Sequence, residues 1–195
     1  GAVDYIVPCD ISIDADVVVN AGVVFQFKTG TGFSIGNAGS LKVNGTASAP
    51  VAFHGESSAS GVWKGLRFNS GNVNNSLNHV TITGGGSGSF DGKDIRANIR
   101  VDVNARIKLN NSTISNSGRD GVYVDGTASV TENTIEEFSS NQFNGNANYP
   151  LSIPAPSAHM VDAATTFSSN GNQVIFVRPG VIETGVSWID CQVPY

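Results

Sequence analysis

The sequence predicts an all-β chain wound as a parallel β-helix, a solenoid with coils of about 21 residues. Three observations predict it. Apolar and polar residues alternate over very short stretches, which marks strands with one buried and one wet face. Gly, Asn, Asp and Ser fill the gaps between those stretches, and these residues form turns. A six-residue segment then recurs along the chain, the signature of stacked repeats.

Taken in order, the alternation begins at Val17-Val18-Val19, Val23-Val24-Phe25, Phe33-Ser34-Ile35, Leu41-Lys42-Val43 and Val51-Ala52-Phe53. It continues through Leu66-Arg67-Phe68, Val80-Thr81-Ile82, Ile99-Arg100-Val101, Ile107-Lys108-Leu109, Val122-Tyr123-Val124 and Leu151-Ser152-Ile153. No stretch sustains a helical period, and the abundant β-branched residues favour strands. Residues 1–16 precede most of this series and are expected to cap the first coil, since a bare solenoid end exposes unpaired strand edges. Residues 1–178 are then one β-helix domain. Residues 179–195, poorer in paired apolar positions, are expected to be a tail or a junction to a following unit.

The recurring segment reads Leu77-Asn78-His79-Val80-Thr81-Ile82, then Leu109-Asn110-Asn111-Ser112-Thr113-Ile114, then Val130-Thr131-Glu132-Asn133-Thr134-Ile135. The last interval, 135 − 114 = 21 residues, sets the expected coil. The first is 114 − 82 = 32, and its surplus falls in a Gly- and Ser-rich insertion at residues 83–98. On this reading Ile82, Ile114 and Ile135 stack inside one sheet, with Thr81, Thr113 and Thr134 outside. Asn110 and Asn111 would bond across coils, and His79 would occupy a turn rather than a ligand position. A β-sandwich would instead show longer strands joined by hairpin turns.

Several stretches occur in a fixed order: Ala21-Gly22-Val23-Val24-Phe25-Gln26-Phe27, Gly39-Ser40-Leu41-Lys42-Val43-Asn44-Gly45-Thr46-Ala47, Ala49-Pro50-Val51-Ala52-Phe53, Gly61-Val62-Trp63-Lys64-Gly65-Leu66 and Leu77 to Ile82. Together they resemble a recurring region of bacterial surface proteins that have right-handed parallel β-helix folds, within the pectin-lyase-like superfamily. Gly171-Asn172, Val174, Trp188 and Val193-Pro194-Tyr195 look like that family's unit boundary. The resemblance implies a secreted or bacterial cell-surface module, a monomer or a unit of a tandem array. Trp63 and Trp188 are expected to pack at corners, with Gly65 making room for the ring of Trp63.

Composition narrows the partners. Only 14% of residues are charged, and the net charge of −5 argues against nucleic acid and anionic membranes. No apolar run is long enough to span a bilayer. The expected partners are polysaccharide or another surface protein, with no cofactor and no metal.

The fold class also hosts polysaccharide hydrolases and lyases, so chemistry has to be argued from residues. Arg106-Ile107-Lys108 and His54-Gly55 echo a polygalacturonase signature. Hydrolysis also needs two carboxylates, and the coil before His54 offers Thr31-Gly32-Phe33-Ser34 instead. A lyase needs clustered carboxylates for calcium and a base to take the proton alpha to a carboxylate. The best candidates are Asp91, Lys93, Asp94 and Arg96 on the 83–98 insertion, joined by Arg119 and Asp120. Their mixed signs on a Gly-rich loop read more simply as a solvated surface. His54, His79 and His159 lack metal-ligand spacing, Asp14-Ala15-Asp16 lacks a calcium-repeat pattern, and one Thr per coil is too sparse for an ice-binding array. The expected function is therefore a non-catalytic spacer, adhesion or carbohydrate-contacting module. The alternative is a lyase or hydrolase using the 83–98 loop.

Cys9 and Cys191 lie near opposite ends of the chain. Rungs about 4.8 Å apart place them well beyond the reach of about 7 Å between Cα atoms, so no Cys9–Cys191 bond is expected. In a tandem array Cys191 would instead bridge to the next unit's first cysteine.

Overall fold

The computed structural model describes residues 2–126, 135–182, 185–191 and 193. Its strands fall into three sheets, each parallel throughout. Sheet A stacks β1 (Tyr5–Val7), β4 (Val24–Phe27), β7 (Val51–Gly55), β10 (Val80–Thr83), β13 (Thr113–Ser115), β16 (Gln142–Asn144) and β18 (Thr166–Ser168). Sheet B stacks β2 (Ile11–Ile13), β5 (Gly32–Ile35), β8 (Gly65–Phe68), β11 (Ala97–Val101), β14 (Asp120–Val124), β17 (Leu151–Pro154) and β19 (Ile175–Arg178). Sheet C stacks β3 (Asp16–Asn20), β6 (Ser40–Asn44), β9 (Ser76–Asn78), β12 (Ile107–Asn110) and β15 (Ile135–Ser139). Through β15 the chain visits A, B and C in turn on each circuit, a topology compatible with a parallel β-helix. After β17 a 3₁₀ helix, Ala155–Met160, stands where a sheet C strand would come, and β18 and β19 then return to sheets A and B.

Strands this short form because each contributes only two or three inward side chains to a shared column. In sheet A, Phe25 stacks on Phe53, Phe53 on Ile82, Ile82 on Ile114 and Ile114 on Phe143. In sheet B the column runs Phe33, Leu66, Ile99, Val122, Leu151 and Ile175. In sheet C it runs Val43, Leu77, Leu109 and Phe138. These residues form one continuous core, with the partly buried Phe25 packed against it. Fully burying each such side chain is worth about 1.5–3 kcal/mol.

The expected stacking of Ile82 on Ile114, with Thr81 against Thr113 outside, is present. Ile135 is not the third member. It belongs to sheet C, where it pairs with Ile107, and Phe143 takes its place beside Ile114. The repeat is therefore longer than 21 residues here: 143 − 114 = 29 along sheet A. The recurring hexapeptide is a corner, with Leu77 and Leu109 in sheet C and Ile82 and Ile114 in sheet A. Its next copy is Phe138-Ser139-Ser140-Asn141-Gln142-Phe143, disguised by aromatic residues in both core positions. Val130 to Thr134, and Thr134 with them, lie outside the described residues.

Left-handed backbone makes the corners. His79, Asn111 and Ser140 (φ 48, 53 and 55°) turn the chain from sheet C into sheet A. Asn116 and Ser169 (φ 52 and 55°) turn it out of sheet A. Asn tolerates this region because its short polar side chain bonds locally. Asparagines also tie successive circuits together, as when Asn111 Nδ2 donates to Asn78 Oδ1 at 3.0 Å. The buried Asn146 accepts from Ser117 N at 3.1 Å and donates to Ile114 O at 3.2 Å and Asn170 Oδ1 at 2.9 Å.

At the first end, residues 5–7 and 11–13, from the segment expected to cap, are strands of the terminal circuit, and Tyr5, Ile6 and Ile11 are exposed there. At the other end the segment after β19 carries no strand among the described residues. Cys191 and Val193 nevertheless join the core. Cys9 is an exposed thiol and Cys191 a buried one.

Candidate functional site

The predicted 83–98 insertion is in fact residues 84–96, because Thr83 completes β10 and Ala97-Asn98 begin β11. It leaves sheet A beside Trp63, which is fully buried, stacks on Phe27 at 4.1 Å and donates Nε1 to Thr83 O at 2.8 Å. That is the corner packing expected of this ring. Gly65 (φ 104°) is required two residues on, since a Cβ there would overlap the backbone oxygens of Ala97 and Asn98. The loop then folds back over sheet B. Ser87 N donates to Trp63 O at 2.9 Å, Gly85 N to Asn98 Oδ1 at 2.7 Å, and Phe90 lies 5.5 Å from the Lys64 ammonium.

Beneath the loop, alternation in β8 and β11 points Leu66, Phe68, Ile99 and Val101 inward and Arg67 and Arg100 outward. Register pairs the two arginines side by side. Like charges so placed need counter-ions, and Asp91 and Asp102 supply them. Arg100 grips Asp91 with two bonds of 2.8 Å and donates Nε to Asp102 at 2.6 Å. Arg67 donates to Asp102 at 2.7 Å and to Asp91 at 3.3 Å. The Arg100 side chain is only 2% exposed and that of Asp91 22%. Bidentate pairs of this kind are among the strongest hydrogen bonds in proteins.

The bonds from Arg100 outweigh burial and hold the Asp91 carboxyl down to about 2. Burial works against the Arg100 cation, yet the bonds and charges of Asp91 and Asp102 prevail and raise its pKa. Arg100 therefore stays protonated and cannot serve as a base, and Asp91 stays ionised and cannot donate a proton near neutral pH. Two cations and two anions neutralise one another here.

The remaining predicted residues do not join this group. Asp94 pairs with Arg96 at 2.7 Å on the exposed part of the loop. The Lys93 side chain is exposed, and only its backbone N–H reaches Asp91, at 3.3 Å. Arg119 is exposed, whereas Asp120 is buried and accepts from Asn148 Nδ2 at 2.7 Å and Tyr149 N at 3.3 Å. Burial pushes the Asp120 carboxyl up. Asp91 lies on the exposed loop and is at the same time the counter-ion of a buried guanidinium.

Sequence reasoning missed Arg67, Arg100 and Asp102. A signal was present in Leu66-Arg67-Phe68 and Ile99-Arg100-Val101, two strands with the same basic residue at their centre. Three circuits beyond Arg100, Arg178 donates to Tyr123 Oη at 2.7 Å, lies 4.2 Å from its ring and bonds to Val124 O. The polygalacturonase-like segments lie apart, with His54-Gly55 in sheet A and Ile107-Lys108 in sheet C. Among the described residues no group of three or more His, Cys, Asp or Glu side chains is placed to hold a metal ion. In comparisons with known proteins the chain matches no family model, no curated protein and no solved structure.

Proposed function

We propose that the chain is a non-catalytic extracellular module, a right-handed parallel β-helix of the pectin-lyase-like superfamily. It acts on a bacterial surface as a spacer and adhesion unit that contacts carbohydrate. The observation that carries the reading is the closed network of Arg67, Arg100, Asp91 and Asp102. Where a lyase or hydrolase would present an available base, acid or cation to its substrate, this outer face of sheet B presents groups that satisfy one another. Low charge and abundant Asn, Ser and Thr suit an extracellular surface.

The test is a panel of acidic and neutral polysaccharides assayed both for retention of the protein and for chain cleavage. Retention without new reducing ends or unsaturated uronate absorbance is expected. Cleavage that is lost in the double variant Asp91→Ala, Asp94→Ala would replace this reading with a lyase or hydrolase acting through the loop.

A further inference from the structure

Sheet A differs from its neighbours in carrying no Asp, Glu, Lys or Arg in any of its seven strands. Sheet B has Arg67, Arg100, Asp120 and Arg178 on its strands, and sheet C has Asp16, Lys42, Lys108, Glu136 and Glu137. The outer face of sheet A carries two small or polar columns. Register places Thr81 on Thr113, Thr113 on Gln142 and Gln142 on Thr166. Beside them, Thr83 lies on Ser115, Ser115 on Asn144 and Asn144 on Ser168. The sequence alone suggested one such residue per coil; the structure supplies a second on each of these four strands, although Ser115 is buried and Thr83 Oγ1 accepts from Asn116 Nδ2 at 3.4 Å. Neighbours within a column are about 4.8 Å apart, and the columns are about 6.7 Å apart along each strand.

The side chains of Thr81, Thr113, Gln142, Asn144, Thr166 and Ser168 take no hydrogen-bond partner among the described residues. Corner asparagines such as Asn141 and Asn146, by contrast, bond at both ends of their amides. A flat run of available donors and acceptors is thus left facing outward.

We propose that this face binds a neutral, extended polysaccharide lying along the stack, across the strands. The proposal rests on the non-catalytic reading above and adds the ligand class and its surface. Each hydroxyl or amide on the face both donates and accepts, as a sugar hydroxyl does. No cation stands in these strands to pair with a uronate carboxylate, so charge matching selects a neutral polymer. A repeating set of polar groups at fixed rung spacing suits a repeating chain. The change from hydroxyls to longer amides at Gln142 and Asn144 presents no single lattice, which favours a chain of sugar hydroxyls over an ice surface.

Affinity electrophoresis of the whole chain in gels containing hydroxyethylcellulose, galactomannan or polygalacturonate tests this. Retardation by at least one neutral polymer and not by polygalacturonate is expected, unchanged between about 0.1 and 1 M salt because no ion pair is involved. The combined change Thr113→Ala, Gln142→Ala, Asn144→Ala, Thr166→Ala should weaken retention about tenfold or more, the scale of several net hydrogen bonds. The milder pair Gln142→Ala, Thr166→Ala should weaken it in the same direction if the fourfold variant folds poorly. Lys42→Ala with Lys108→Ala, on sheet C, should leave it intact. Retardation by neither neutral polymer, retention unaltered in folded sheet A variants, or ice shaping by a protein that no polymer retards would overturn the proposal. Shortened polymer chains would refute the non-catalytic reading alone, with the face still decided by the variants.

Discussion

Replacing Asp91 with Ala removes one of two carboxylates from a guanidinium that is almost wholly buried. Lowering a carboxyl from 3.8 to about 2 means that its ionised form is favoured by about 2.5 kcal/mol in the folded state. Water on the open side of the loop screens part of this, and Asp102 stays with Arg100, so a net loss of about 1–2 kcal/mol is expected. For a chain of this size that lowers Tm by about 3–6 °C. The sign with pH follows from the depressed value. The stabilisation is complete above the unfolded carboxyl's 3.8 and disappears as pH falls towards about 2. Thermal melts of wild type and Asp91→Ala at neutral pH and at successively lower pH should therefore start several degrees apart and converge in that window. Asp94→Ala, on the exposed part of the loop, serves as the control and should change stability by less than about 0.5 kcal/mol. An Asp91 variant as stable as wild type at neutral pH, or a gap that does not close with acid, would refute the counter-ion role.

Ile114 is fully buried between Ile82 and Phe143, so Ile114→Asp should abolish cooperative folding while Ile114→Val costs about 1 kcal/mol; circular dichroism and urea titration decide it. Asn146→Ala strands the Ser117 N–H and the Ile114 and Asn170 side of the ladder, and a loss of about 2–3 kcal/mol in urea is expected; a loss within about 0.5 kcal/mol would mean that the ladder is dispensable. Cys9 should react with a maleimide in the native state and Cys191 only after unfolding. Non-reducing peptide mapping that recovers the two linked within one chain would contradict their placement at opposite ends.

Local chemistry determined much of this protein. Alternation in Leu41-Lys42-Val43 or Ile99-Arg100-Val101 needs only a two-sided strand, and Asn111 needs only a tight corner, so strand existence, the turn role of His79 and the pairing of Ile82 with Ile114 were readable from the chain. Which of three sheets a strand joins is another matter, because every inward position of a stacked coil accepts the same aliphatic or aromatic residues. Val130 to Ile135 therefore looked like a third copy of the corner, although Ile135 pairs with Ile107 and the true copy ends at Phe143. The same limit hid the candidate site. Arg67 and Arg100 become neighbours only when β8 and β11 stack, and Asp91 becomes their counter-ion only when the loop folds over them. A free charge on a Gly-rich loop and a charge paired with a buried guanidinium are written with the same letter. The low dielectric and the nearness that separate the two arise from tertiary packing.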